Sequence, residues 1–288
     1  MAVEHLEWQG FKLTMQDRSV LLRALSISKE NSSLSDHQLI EFSKALGKFS
    51  DDLELRSPLA FSRTAITPLH VPTLSHDAAA YKFTKDEAVP FWLAGSIRLH
   101  PLTYYHVIEN DNARDVREGF GLVSLRSEKR EMSVELLSGF NSYVICTSSD
   151  ARKSERVERH AKFGPRLLRI NRANEFAEKV GHLLGASRVV VRDVAYSDSK
   201  IVRGESDLAD ALAEFDVGDE FQMAMFEYLA DHRVDQLVEA AEAASAFTKP
   251  NHYRVERERR FLFAMDRDVD GSIDVQSDEL AEHIELIT

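Results

Sequence analysis

The residues best able to do chemistry lie near the end of the chain, in the stretch from Phe247 to Phe263. It holds Glu256 and Glu258 one residue apart, together with Lys249, Tyr253, Arg254, Arg257, Arg259 and Arg260. Read as a strand over Tyr253 to Met265, the stretch puts both carboxylates on one face, because strand side chains alternate with period two. There one carboxylate can hold a ribose hydroxyl while the other polarises an acceptor and stabilises an oxocarbenium-like ribose. Two upstream features complete the set. Arg98, on a short apolar strand, can bind the nicotinamide-side phosphate. Thr147, Ser148 and Ser149 end another strand and can shape a pocket for a ring. A phosphate-binding arginine, a Ser/Thr strand end and a Glu-x-Glu pair, in that order, are what cleavage of the glycosidic bond of NAD needs. NAD would be the substrate, and no metal is required.

Other readings of the same residues stand beside this one. Glu256 to Arg260 can equally be the solvated face of a strand, where ion pairs contribute only about 0–1 kcal/mol each. The apolar run Phe261 to Phe263 then carries that strand into a core. His100, His106, Glu109, Asp111 and Asp115 offer nitrogen and oxygen ligands for a divalent metal, as a metal-dependent nuclease would use. Asp266 to Asp274 has the Asp-x-Asp-x-Asp-Gly look of a calcium loop. Ser277 stands where the bidentate glutamate of an EF-hand belongs, so a hairpin turn is the expectation. Between Arg152 and Arg172 there are eight basic residues opposed only by Glu155 and Glu158. The run can contact a polyanion, or pair with the acidic stretch from Glu205 to Glu242, which holds twelve acids and one arginine. Cys146, among apolar neighbours, reads as a strand residue rather than a nucleophile.

These residues need elements to hold them. Residues 1–80 read as a helical and extended appendage. Val20 to Leu25 and Leu39 to Leu46 carry apolar residues at helical spacing, followed by an irregular stretch with Pro58, Pro68 and Pro72. Residues 81–288 read as the functional domain. Expected there are a short helix from Lys85 to Ala94 ended by Gly95, strands at 96–99, 121–126, 132–137, 142–147, 166–170 and 188–196, and a last strand at 282–287. Asn171 is placed to cap a helix over 172–184, which Gly185 ends. Asp219 to Ala244 is expected to form one long amphipathic helix. The class is α+β, a twisted and mainly antiparallel sheet flanked by helices, with an N-terminal helical appendage.

The totals narrow the function classes. The chain has 288 residues, 43% hydrophobic and 29% charged, with a net charge of −12. That balance argues against a general nucleic-acid coat or a membrane-surface protein. One cysteine allows no internal disulfide, so a reducing cytoplasm is the expected home. Neither a secretory leader nor a membrane-spanning run is legible.

Several blocks, taken together, resemble one family. They are Ser96 to Glu109 with Asp115, Glu118 and Gly119; Tyr143 to Ser148; Phe163-Gly164; Val194, Tyr196 and Asp198; Phe247 and Lys249; and Tyr253, Glu256, Glu258 and Arg260. In order and content they are similar to the bacterial and phage group usually called DUF2971-like, over roughly 81–287. The resemblance implies an intracellular α+β protein and brings no agreed activity. The series Arg98, Ser148, Glu258 is itself similar to the arginine–serine–glutamate class of ADP-ribosyltransferases, with two extra helices between serine and glutamate. That likeness implies a transferase or NAD glycohydrolase, and the bacterial and phage setting of the DUF2971-like group implies a toxin or phage-conflict effector. Its partners would be a small-molecule nucleotide and a protein or nucleic-acid acceptor, with no membrane. Tyr104 and Tyr253, aromatic members of the blocks, are the candidates to contact the nucleotide. A non-enzymatic binding or regulatory module is the competing class.

Overall fold

A computed structural model describes residues 4–15, 18–27, 35–36, 39, 67–68, 74–75, 78–106, 118–151, 153–197, 200–213 and 234–287. The protein is α+β. Its strands are β1 (Glu4–Met15), β2 (Arg18–Ile27), β3 (Thr67–Pro68), β4 (Ala80–Thr84), β5 (Ser96–Pro101), β6 (Phe120–Arg126), β7 (Glu131–Ser138) and β8 (Ser142–Ser148). They continue as β9 (Arg166–Ile170), β10 (Arg188–Asp193), β11 (Ala195–Tyr196), β12 (Ile201–Glu205), β13 (Thr248–Lys249), β14 (Glu258–Ala264), β15 (Ile273–Gln276) and β16 (Ile284–Leu286). The described α-helices are α1 (Val89–Leu93), α2 (Lys153–Phe163), α3 (Ala173–Leu184), α4 (Leu208–Ala213), α5 (Val234–Ser245) and α6 (Asp278–Ala281).

The chain forms two compact units. The first comprises Met1–Val71, Asp115–Gly139 and Ala195–Pro250; the second comprises Pro72–Arg114, Phe140–Val194 and Asn251–Thr288. The second unit begins close to the boundary expected at residue 80, but two later segments join the N-terminal unit instead of it.

In the first unit the strand order is β1-β2-β7-β6-β12-β3, antiparallel except where β12 joins β6 and β3. Val20 to Leu25, expected as helix, lies in β2 and pairs with β7 from Val20↔Ser138 to Ile27↔Met132. An apolar run this short satisfies helical and strand periods alike, and pairing with β1 on one edge and β7 on the other decides between them. Leu39 to Leu46 and the stretch 219–233 lie outside the described residues, apart from Leu39 itself. What is described of the acidic segment's helix is α5, which packs on β6 and β7. Glu131 is fully buried; Ser124 donates to it, and Arg203 approaches it at 3.1 Å while also reaching Asp36.

In the second unit the sheet runs β10-β14-β8-β4-β9-β16, and β5 branches from β8 to carry β15. Strands at 96–101, 142–148, 166–170 and 284–286 fall where the sequence places them. Helix α3 covers one face, packing Phe176, Ala177 and Val180 among Tyr143, Ile145, Phe261 and Phe263. It approaches β10 so closely that a Cβ on Gly181 would lie 2.3 Å from Val189 Cγ2. Gly185 ends the helix at φ 67. Its N-cap is Arg172, at φ 49 and without a side-chain cap bond, rather than Asn171. Gly95 ends α1 at φ 68, and a Cβ there would sit 2.0 Å from the Ser277 carbonyl oxygen. The turn after β14 does not close a hairpin, because β15 pairs with β5, Asp274 opposite Arg98.

Candidate functional site

All seven sequence-selected site residues belong to the second unit. Strand β8 is the element that relates them. Its register with β14 runs from Ser148↔Glu258 to Ser142↔Ala264, and β5 joins its other edge at His100↔Val144. Directly paired residues project to the same side of a sheet, and neighbours along a strand to opposite sides. Ser148, Cys146, Glu258, Arg260, Arg98 and His100 therefore share one face. Thr147 projects to the other, and its hydroxyl donates to the Arg259 carbonyl at 2.6 Å. Thr147 thus does not join Ser148 in one pocket wall.

Glu256 and Glu258 are not a same-face pair on one strand. Glu256 ends a 3-10 turn, Asn251–Glu256, and the chain enters β14 only at Glu258. Between them Arg257 takes φ 44, a left-handed conformation that breaks the two-residue repeat. Both carboxylates are buried, at 6% and 3% residue exposure, so the solvated-face reading fails as well. Glu258 accepts from Arg260 Nε at 2.9 Å, two positions along the same strand, and Arg260 is fully buried. Glu256 accepts from Lys162 on α2 at 2.5 Å, and the Ser148 hydroxyl donates to the Glu256 carbonyl at 2.8 Å. The Lys162 ammonium also lies 5.1 Å from the ring centre of Tyr253, which is buried on the same turn. Ser148, Tyr253, Glu256 and Glu258 are thus brought together at one end of the β8–β14 ladder.

Arg98 and Tyr104 lie apart from that group. Arg98 is exposed and makes a bidentate ion pair with Asp274, both contacts 2.8 Å. Hydrogen bonding to Asp274 holds the guanidinium above its ordinary pKa, and the same contact holds the Asp274 carboxyl below its own. Arg98 lines a cleft of about 370 Å³ with Phe91 and Trp92 of α1 on the facing wall. Neither Ser148 nor Glu258 lines it. Tyr104, in the 3-10 turn Leu102–His106, stacks on the His100 ring with centroids 4.3 Å apart.

Sequence reasoning missed Lys82. On the edge of β8 that faces away from β14, β4 pairs only at Ser148 and β5 only at Val144 and Tyr143. The strands fork there, and the Lys82 ammonium enters the fork and donates to the Cys146 carbonyl at 2.8 Å. It lies 6.0 Å from the Trp92 ring centre. Burial holds its pKa below the ordinary lysine value, partly offset by Cys146 and Glu258. His100 is held low too, first by burial and then by the charges of Lys82 and Arg98. No spacing motif announces a lysine of this kind. Only the branching of the sheet does.

Five members of the basic run from Arg152 to Arg172 find carboxylates one by one within the second unit; Arg152 and the side chains of Lys153 and Arg156 lie outside the described residues. Arg159 reaches Asp150, Lys162 reaches Glu256, Arg166 reaches Asp86, Arg169 reaches Glu285 and Arg172 reaches Glu175. Of the metal candidates, His100 shares a hydrogen bond with Ser272 at 2.8 Å. Glu109, Asp111 and Asp115 lie outside the described residues, as does the side chain of His106. Among the described residues no three His, Cys, Asp or Glu side chains are grouped to hold a metal ion, and no helix is long and apolar enough to cross a membrane. Comparison of the chain with protein-family models, curated proteins and solved structures finds no match.

Proposed function

We propose that the second unit uses a nucleotide, with NAD as substrate and chemistry of the ADP-ribosyltransferase or NAD glycohydrolase kind. One observation supports this reading above the others. The β5–β8–β14 register gives Arg98, Ser148 and Glu258 a common face of one sheet, which supports the arginine–serine–glutamate series, with Arg98 in a cleft that Ser148 and Glu258 do not line. In that scheme Arg98 binds a phosphate of the dinucleotide. Ser148 flanks the nicotinamide, and Glu258 stabilises the oxocarbenium-like ribose as nicotinamide leaves. Glu256, held by Lys162, positions the Ser148 hydroxyl through its carbonyl. Catalysis requires Glu258 to exchange its contact with Arg260 for one with the ribose. The role of an intracellular toxin or phage-conflict effector, with a protein or nucleic-acid acceptor, belongs to the same proposal and comes with the DUF2971-like resemblance.

A second reading has its own observation. Both glutamates already accept from cations inside the unit, Glu258 from the buried Arg260 and Glu256 from the partly buried Lys162, as residues of a structural network do. On that reading the unit is a binding or regulatory module. Nicotinamide release from NAD, followed by chromatography, separates the two. The enzymatic reading expects release by the wild-type chain and its loss in Ser148→Ala and Glu258→Gln variants that retain the wild-type circular dichroism. Absence of release from the wild type, or undiminished release by folded Glu258→Gln, overturns it.

A further inference from the structure

We propose that the cleft between α1 and the β5–β15 ribbon binds an aromatic ring carrying an anionic group, and that its ligand is the adenosine-phosphate half of the dinucleotide. The identity of the ligand rests on the function proposed above; the ring-and-anion chemistry rests on the walls of the cleft. Its volume, about 370 Å³, falls within the ~300–1,000 Å³ span of small-molecule sites.

One wall is aromatic. Phe91 leaves 63% of its surface exposed while Trp92, next to it, is buried in the core. Helix α1 has Pro90 in its first turn, and Trp92 takes its buried side, which leaves Phe91, one step round the helix, outward. An exposed phenyl ring on a rigid, anchored turn offers a planar ligand a stacking surface at little cost in side-chain freedom.

The other wall supplies a prepared cation. A guanidinium has five N–H donors. Asp274 accepts from Nε and Nη2 of Arg98 and fixes its plane. Three donors on the far edge are left, and nothing among the described residues accepts from them. A phosphate can take that edge bidentately without displacing Asp274. Ser96 projects from β5 on the same side as Arg98, and Glu87 also lines the cleft. A hydroxyl and a carboxylate are suitable partners for the ribose hydroxyls and the exocyclic amine of a nucleoside.

The test uses the full chain, AMP, adenosine and inorganic phosphate in isothermal titration. AMP is expected to bind, and adenosine and phosphate to bind more weakly. Phe91→Ala and Arg98→Ala should each weaken AMP by about tenfold or more, as loss of a stacking or charge-assisted contact does. Both side chains are exposed, so both variants should keep the wild-type circular dichroism. No saturable AMP binding, or wild-type affinity in both variants, overturns the inference. Nicotinamide release measured on the same preparations separates it from the enzymatic reading. Release without AMP binding overturns the cleft and leaves that reading standing; AMP binding without release supports the cleft and removes the enzyme.

Discussion

Glu258→Gln is the perturbation that discriminates most between a structural and a catalytic glutamate. The side chains of Arg260 and Glu258 are 0% and 3% exposed, and the pair closes at 2.9 Å within one strand. The amide keeps the shape of the carboxylate but leaves the guanidinium charge inside the sheet without its counterion. Breaking a buried pair from one side costs about 3–5 kcal/mol. Arg260 and Glu258 each have further contacts, so the expected loss is at the low end, about 3 kcal/mol. Glu258→Gln with Arg260→Met removes the charge as well, and should recover most of the loss, leaving about 1 kcal/mol. Urea denaturation followed by Trp92 fluorescence, in a Trp8→Phe background, reads the second unit alone. The reasoning is refuted if Glu258→Gln costs less than about 1 kcal/mol, or if the double variant costs the sum of the two singles. The same numbers guard the activity assay, since a loss of nicotinamide release counts only in the folded fraction.

Four further outcomes follow from the geometry. Lys82→Met removes the donor from the Cys146 carbonyl and should cost about 1–3 kcal/mol by the same denaturation; no loss would show the fork closed without it. Because Lys82 titrates below its ordinary value of 10.5 in the folded chain, the unfolded chain binds more protons between the two values. Its contribution to stability therefore rises with pH there, and the difference between wild type and Lys82→Met should widen from neutral pH towards 10.5; a constant difference would refute the shift. His100, also depressed from 6.5, has the same sign, so His100→Gln should flatten the acid side of the stability profile below that pH. Gly181→Ala should cost about 1–3 kcal/mol by overpacking against Val189, and Val189→Ala should restore part of it; an unchanged midpoint in Gly181→Ala would mean the helix moves away freely.

Local structure was largely legible and long-range structure was not. The helix ended by Gly185, the short helix ended by Gly95, and strands such as 142–148 follow from periodicity and glycine placement. The run Val20 to Leu25 did not, because its apolar residues fit both periods; its partners are β1, just before it in sequence, and β7, more than a hundred residues away. Glu256 and Glu258 looked like one strand face because nothing in Arg257 announces a left-handed backbone. The serine–glutamate pairing was legible as an order of motifs; its register across β8 and β14 was not. Phe91 and Lys82 carry no motif at all, and Asp274 ends a calcium-like run that does not announce its pairing with Arg98. They matter through the branching of β8 and the pairing of β15 with β5, which are properties of the assembled sheet.

That branching has a consequence for synthesis on the ribosome. Strand β8 is flanked by β14 on one edge, and the Thr147 hydroxyl reaches an Arg259 that is 112 residues further on. Strands β15 and β16, which complete β5 and β9, come later still. The second unit is assembled from three separate stretches, the last of them Asn251–Thr288. Until that stretch emerges, a nascent chain presents the apolar residues Val144 and Ile145 on an unpaired strand edge, the kind of edge that invites pairing with other chains. Premature termination anywhere before Glu258 would leave this edge permanently open, so truncated products should aggregate rather than survive as a soluble half-protein.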